Sequence, residues 1–345
     1  MFNTTIVAGP CAAESYEQLS LTAKGLVESL AAQQQQLDYF RAGVWKPRSQ
    51  PDAFAGCGEK ALPWLQNIQE QYGIPVCVEV NAPEQLDLCE KHHIKTIWIG
   101  SRTSVNPFDI QEIASAIQGR DFTVMVKNPM IADLKLWIGN IERFKKAGIA
   151  KLFAIHRGFA DSNESVYRNR PGWEIAIDLK VHFPEIPILC DPSHIAGNRQ
   201  YIAQLSQLSL DYGFNGLMIE SHYQPEKALS DAAQQLTPQE LAHLLQQLNF
   251  KNSTSSPAEN ELRKQRTQIN NIDTQLGVLL RKRMEIVDTI AQIKKEHNLP
   301  VVQPEQWKKV VGIYQDESLK DDDFQDFINN FLELLHQSSV KRQRK

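Results

Sequence analysis

Eight short apolar runs cross the first 220 residues, and nearly every one ends in a residue that can do chemistry. Ile6-Val7-Ala8 leads to Cys11, and Tyr39-Phe40 runs through Val44-Trp45 to Lys46. Val76-Cys77-Val78 precedes Glu79, Ile97-Trp98-Ile99 precedes Arg102, and Val124-Met125-Val126 meets Lys127. Leu152-Phe153-Ala154-Ile155 meets His156-Arg157, Ile186 to Cys190 meets Asp191 and His194, and Leu217-Met218-Ile219 stops at Glu220. Between the runs, Glu17–Gln33, Ala82–His92, Pro107–Gln118 and Lys135–Ala147 carry helical periodicity. Strand–helix alternation repeated eight times predicts a parallel sheet closed into a (β/α)8 TIM barrel. An open doubly wound sheet would more often follow its first strand with a glycine-rich dinucleotide loop, where this chain has Gly9-Pro10-Cys11. Catalytic groups of such barrels sit at the C-terminal strand ends, where these residues fall.

After a last helical stretch near Thr237–Leu248 the pattern changes. Lys251 to Pro257 is polar, Ser/Thr-rich and closed by a proline, which reads as a linker. The predicted domains are therefore a barrel over 1–250, a linker over 251–257 and an all-helical domain over 258–345. From Ala258 to His297 the only helix breaker is Gly277, and apolar residues recur at helical spacing from Leu262 to Ile293. Such a helix is roughly 60 Å long. A domain of under a hundred residues cannot cover it alone, so an intertwined homodimer is expected, with a tetramer also open. Shorter helices are expected near Glu305–Gln315 and Asp322–Gln343.

Composition narrows the partners. A net charge of −4 gives no reason to expect nucleic acid or an anionic membrane. No apolar stretch is long enough to cross a bilayer, and the N-terminus lacks the layout of a signal peptide. Five cysteines without a CxxC pair suit a reducing cytosol, so a cytoplasmic enzyme is expected. Cys57, Cys77, Cys89 and Cys190 read as ordinary thiols.

Cys11 is treated differently because it falls at a strand end with His194 and Glu220, and Asp231 follows just beyond the last strand. Thiolate, imidazole and two carboxylates suit one borderline divalent ion, Mn²⁺ first, with Fe²⁺, Zn²⁺ or Co²⁺ as alternatives. A second group is cationic: Arg41, Lys46, Arg48, Arg102, Lys127 and Arg157. So many positive groups at neighbouring strand ends repel one another unless an anionic substrate lies between them. Guanidinium groups grip phosphate and carboxylate bidentately. The expected ligands are one or two small phosphorylated acids or sugars beside a metal able to polarise a carbonyl.

These motifs resemble a known family. Ile6 to Cys11, Arg41-Ala42-Gly43-Val44-Trp45-Lys46-Pro47-Arg48-Ser49, Ile99-Gly100-Ser101-Arg102, Asp191-Pro192-Ser193-His194, Gly216 to His222 and Ala228-Leu229-Ser230-Asp231 look like 3-deoxy-D-arabino-heptulosonate 7-phosphate (DAHP) synthase of the type I beta class. The resemblance implies condensation of phosphoenolpyruvate with erythrose 4-phosphate. It implies that Cys11, His194, Glu220 and Asp231 hold the metal. Arg41, Lys46, Arg102, Lys127 and Arg157 match the phosphoenolpyruvate site, and Lys46-Pro47-Arg48-Ser49 matches the segment that holds the aldose phosphate, with Ser for Thr. Asp191 is expected to touch substrate, and Glu79, Lys127 or His194 to handle the attacking water. Lys127-Asn128-Pro129 departs from the Lys-Arg-Gly of many relatives, which predicts an altered loop shape. The rival reading is 3-deoxy-octulosonate 8-phosphate synthase, which typically follows its lysine with Ala-Asn rather than Pro47-Arg48.

The terminal helices resemble the AroQ class of chorismate mutase through Arg266 to Asp273, Leu279 to Arg283, Ile293-Lys294, Leu299-Pro300-Val301, Ser339 and Gln343. The resemblance implies rearrangement of chorismate to prephenate, with Arg283, Lys294, Ser339 and Gln343 from one subunit and Arg266 from its partner. Arg283 and Lys294 are eleven residues apart, about three turns, and so point the same way. Gln306-Trp307 stands where the family often has Arg-Glu, so the glutamate expected at the substrate hydroxyl is absent unless Glu305 replaces it. Fusion of the two activities suggests feedback by prephenate or chorismate on the barrel. A purely regulatory helical domain is the alternative.

Overall fold

The computed structural model describes residues 4–47, 52–160, 166–250, 257–316 and 322–344. The chain forms two compact units, Met1–Asn252 and Ser253–Lys345. In the first, β1 (Thr5–Gly9), β2 (Tyr39–Ala42), β3 (Val76–Val80), β4 (Thr96–Ile99), β5 (Thr123–Lys127), β6 (Lys151–His156), β7 (Ile188–Cys190) and β8 (Gly216–Glu220) close in sequence order into a barrel. Every neighbouring pair is parallel, and β1 pairs with β8 from Thr5–Gly216 to Gly9–Glu220.

Two apolar layers follow from the two-residue period of a strand. Val7, Cys77, Trp98, Met125, Ile155, Leu189 and Met218 pack together as the inner layer. The alternate positions, among them Ala8, Val78, Ile97, Val126 and Ile219, join the much larger layer shared with the surrounding helices. Two residues beyond an inner-layer side chain, the same face of the strand carries chemistry. Met125 is followed by Lys127, Ile155 by Arg157, Leu189 by Asp191, Met218 by Glu220 and Cys77 by Glu79. The interior is thus sealed at its base and ionisable at its C-terminal mouth.

β2 ends at Ala42 rather than continuing towards Lys46. Gly43 makes only an isolated bridge to Ala12, and a Cβ there would crowd the Cys11 carbonyl and the Lys46 ammonium. The barrel's last helix, Pro238–Gln247, starts with a capping box in which Thr237 and Glu240 exchange hydrogen bonds.

In the second unit, Pro257–Glu296, Pro304–Asp316 and Asp322–Gln343 are helical. Pro257, assigned to the linker on sequence, is instead the first residue of the long helix. Proline suits that position, because the first helical N–H has no partner to lose; residues 251–256 lie outside the described residues. Val287, Ile328, Leu332 and Leu335 are buried between the helices, whereas Ile269, Ile272, Leu276, Leu279, Ile286 and Ile293 remain exposed. No helix among the described residues is long and apolar enough to cross a membrane.

Candidate active sites

At the barrel mouth, ligand atoms of Cys11, Glu220 and Asp231 all lie within 4.8 Å of one another. Cys11 Sγ donates to Asp231 Oδ2 at 3.2 Å, and Glu220 is fully buried. His194 meets this cluster through one member: its Nε2 lies 3.7 Å from Glu220 Oε1. Its other nitrogen, Nδ1, hydrogen-bonds Asp191 Oδ1 at 2.9 Å. Burial pushes the His194 pKa down, against the opposing pull of Asp191 and Glu220. Nε2 faces the Glu220 carboxylate across a gap wider than a hydrogen bond, so both could turn donor atoms to one cation. The residues present therefore fit a divalent metal with sulfur, nitrogen and oxygen donors. Burial, with Glu220 and Asp231 adding to it, pushes the Cys11 thiol up to about 12. Burial works against ionisation of Asp231 too, but His194 and Arg168 outweigh it and hold that carboxyl well below the usual range.

Beside the cluster opens a cavity of about 190 Å³. Arg41, Lys46, Glu79, Arg102, Lys127, Arg157, His194 and Asp231 all line it. Arg41 is fully buried; its Nη2 holds Glu220 Oε1 at 3.0 Å, and its guanidinium lies 4.9 Å from the Trp98 ring centre. Its Nε and Nη1 have no hydrogen-bond partner among the described residues. Burial, together with repulsion from Arg168 and Arg102, pushes Arg157 down to about 10 despite the opposing pull of Asp191 and Asp231. Unpaired buried donors and mutually repelling guanidinium groups are the marks of a site completed by an anion. Gly100 leaves room for Glu79, because a Cβ there would collide with its carboxylate.

Asp191 is not in the cavity wall, contrary to expectation. It is fully buried beneath it, accepting from Lys127 Nζ at 2.7 Å and from His194 Nδ1, so it orients both groups. Lys127 and His194 thus share one buried carboxylate on the inner face. Arg48 and Ser49 lie outside the described residues. Sequence reasoning missed Arg168, which lines the cavity and holds Asp231 Oδ1 at 2.9 Å. It also missed Asn169, which accepts from Arg157 Nη1 at 2.7 Å and donates to the His194 carbonyl at 2.6 Å. Neither belongs to an apolar run, so no periodicity announced them. The loop after Lys127 is organised by buried Asn128, whose Oδ1 accepts from Arg157 N at 2.7 Å and whose Nδ2 donates to the Pro129 and Gly158 carbonyls.

The helical unit encloses a separate cavity of about 400 Å³, lined by Arg283, Lys294, Ser339 and Gln343. Arg283 Nη1 donates to Ser339 Oγ at 2.8 Å, and Lys294 Nζ donates to Gln343 Oε1 at 3.1 Å and to the Val301 carbonyl at 2.7 Å. Gln306, Trp307 and His336 complete the wall, with the Trp307 and His336 rings 4.3 Å apart. Glu305 does not replace the absent glutamate: it is exposed and pairs with Lys308 at 3.1 Å. Arg266 is exposed on the long helix and does not line this cavity.

A closed barrel whose mouth joins a mixed-donor cluster fit for a metal to a crowd of buried cations points to an enzyme of small anionic substrates. Residues 3–254 match the DAHP synthetase I family and residues 265–344 match chorismate mutase type II, so the chain belongs to the DAHP synthetase I family and carries a chorismate mutase domain behind its barrel. Both are enzyme domains. The phospho-2-dehydro-3-deoxyheptonate aldolase of Thermotoga maritima is 30% identical over 244 residues, covering 71% of this chain and 68% of that protein. The crystal structure of a Thermotoga maritima protein of that name superposes with a TM-score of 0.61 over 70% of this chain and 67% of that chain. A Helicobacter pylori 2-dehydro-3-deoxyphosphooctonate aldolase is 26% identical over 265 residues, covering 70% of this chain and 92% of that protein.

Proposed function

We propose that the barrel condenses phosphoenolpyruvate with erythrose 4-phosphate to DAHP and phosphate. The carrying observation is buried Arg41, with two donors unpartnered among the described residues, in the same cavity wall as Lys127 and Arg157 and beside the Cys11–Glu220–Asp231 cluster. A divalent ion held by Cys11, His194, Glu220 and Asp231 would polarise the aldehyde carbonyl. Arg41, Arg102 and Arg157 bind the carboxylate and phosphate groups and fix their orientation. C3 of phosphoenolpyruvate attacks the aldehyde carbon, water adds at C2, and phosphate leaves with cleavage of the C–O bond. Glu79 and Lys127 line the cavity where a proton must pass to or from that water. The octulosonate alternative is disfavoured by the closer likeness to the heptonate enzyme. Product mass after reaction with erythrose 4-phosphate or arabinose 5-phosphate separates the two: a seven-carbon acid is expected, and an eight-carbon acid alone would overturn the reading.

In the helical unit, Arg283, with Arg266 from a second copy, would grip the two carboxylates of chorismate, while Lys294 and Gln343 stabilise the ether oxygen as its bond breaks. Arg283→Ala is expected to abolish chorismate turnover; unchanged turnover would sink the assignment. Prephenate or chorismate bound at the helices would then inhibit the barrel, read as slower phosphate release by the full-length chain when prephenate is added.

A further inference from the structure

One short segment organises the whole metal cluster. Asp231 begins it in the left-handed region at φ 49°. Three residues later, buried Gln234 donates from Nε2 to Glu220 Oε2 at 2.7 Å, and its Oε1 accepts from Arg168 Nη1 at 3.0 Å. Arg168 Nη1 also donates to Asp231 Oδ1 at 2.9 Å. Gln235 accepts from Cys11 N at 3.0 Å and donates to the Ser230 carbonyl at 2.9 Å. Each carboxylate thus has one oxygen tied to this chain of groups: Oε2 of Glu220 and Oδ1 of Asp231. The oxygens left over turn elsewhere: Asp231 Oδ2 meets Cys11 Sγ, and Glu220 Oε1 meets Arg41 and His194 Nε2.

The chemistry at position 234 is specific. A side chain between a guanidinium and a carboxylate must accept on one side and donate on the other. A neutral amide does both. A flipped amide would set N–H against guanidinium and oxygen against carboxylate, so the network fixes its orientation. A carboxylate there would face Glu220 with like charge.

We propose that Gln234, anchored by Arg168, is a positioning residue that holds Glu220 and Asp231 one oxygen each towards the metal. This rests on the metal-site reading of the barrel. Outer partners of this kind are worth about 10–100-fold in metal affinity.

The test is Co²⁺ binding by the full-length chain, followed by equilibrium titration and by the cobalt–thiolate absorption of Cys11. Gln234→Met is expected to raise the dissociation constant about 10–100-fold and to alter the cobalt spectrum. Arg168→Gln supplies a second, half-exposed site where misfolding is a smaller risk. Charge alone predicts tighter Co²⁺ binding once that guanidinium is gone; the positioning role predicts weaker binding. Unchanged or tighter binding in either folded variant overturns the proposal while leaving the metal site standing. Absence of the thiolate band in the unmutated protein would instead overturn the metal-site reading beneath it.

Discussion

Burial and two nearby carboxylates push the Cys11 thiol up to about 12 although Lys46 and Arg41 pull the other way, so it stays protonated until a metal ion binds it. A metal bound through sulfur therefore displaces a proton. Below that pKa, affinity for Co²⁺ is expected to rise about tenfold per pH unit for the one proton released. Calorimetry in buffers of different ionisation enthalpy checks this, and pH-independent binding would contradict it. His156 makes a different kind of claim. Its ring is buried among Trp137, Phe159, Trp173 and Phe214, and burial, with repulsion from Arg157, pushes its pKa down to about 3 against the opposing pull of the Pro171 carbonyl and Asp191. The unfolded chain, with histidine near about 6.5, binds the proton that the folded chain refuses. This contribution is whole above that value and is lost as pH falls towards about 3, at up to about 1.4 kcal/mol per pH unit. Urea unfolding of His156→Phe at a series of pH values is expected to show a flatter acid limb; the same slope as the unmutated protein would remove His156 as its source.

At the scale of elements, the period-two strand carries the site. Each inner-layer residue fixes the face on which the next chemical residue emerges, so Glu79, Lys127, Arg157 and Glu220 were legible as soon as the strands were. The same logic places Gly100 two residues beyond Trp98, where its missing side chain makes space for Glu79. Gly100→Ala is expected to displace that carboxylate and slow condensation about 100-fold, the cost of misplacing a group by about 1 Å. Unfolding should change little; unchanged kcat would show that Glu79 need not stand there. What stayed illegible lies in the loops. Asn128, Arg168, Asn169 and Gln234 act through hydrogen bonds between segments up to 66 residues apart, and no local pattern encodes such pairings. Asp191 was legible as a strand-end carboxylate, but the sequence does not show that Lys127 and His194 already hydrogen-bond to it.

The molecule as a whole joins two catalytic units, and its long helix is the element that a single chain leaves unfinished. Ile272, Leu276 and Leu279 lie exposed along it at helical spacing, and Arg266 stands on the same helix away from the cavity that would need it. A second copy would cover the first and supply the second. Leu279→Asp is expected to lower the association state in sedimentation and to cut chorismate turnover at least tenfold, through loss of the shared site. Full turnover by a monomer would refute the shared site. Metal-dependent condensation at the barrel mouth is read from phosphate release from phosphoenolpyruvate by the full-length chain, with erythrose 4-phosphate or arabinose 5-phosphate, with and without a chelator. Release is expected with the four-carbon sugar, and is expected to stop on chelation, to return with Mn²⁺, and to be absent in Cys11→Ala. Release that survives chelation or the Cys11→Ala substitution, or that requires the five-carbon sugar, would contradict it.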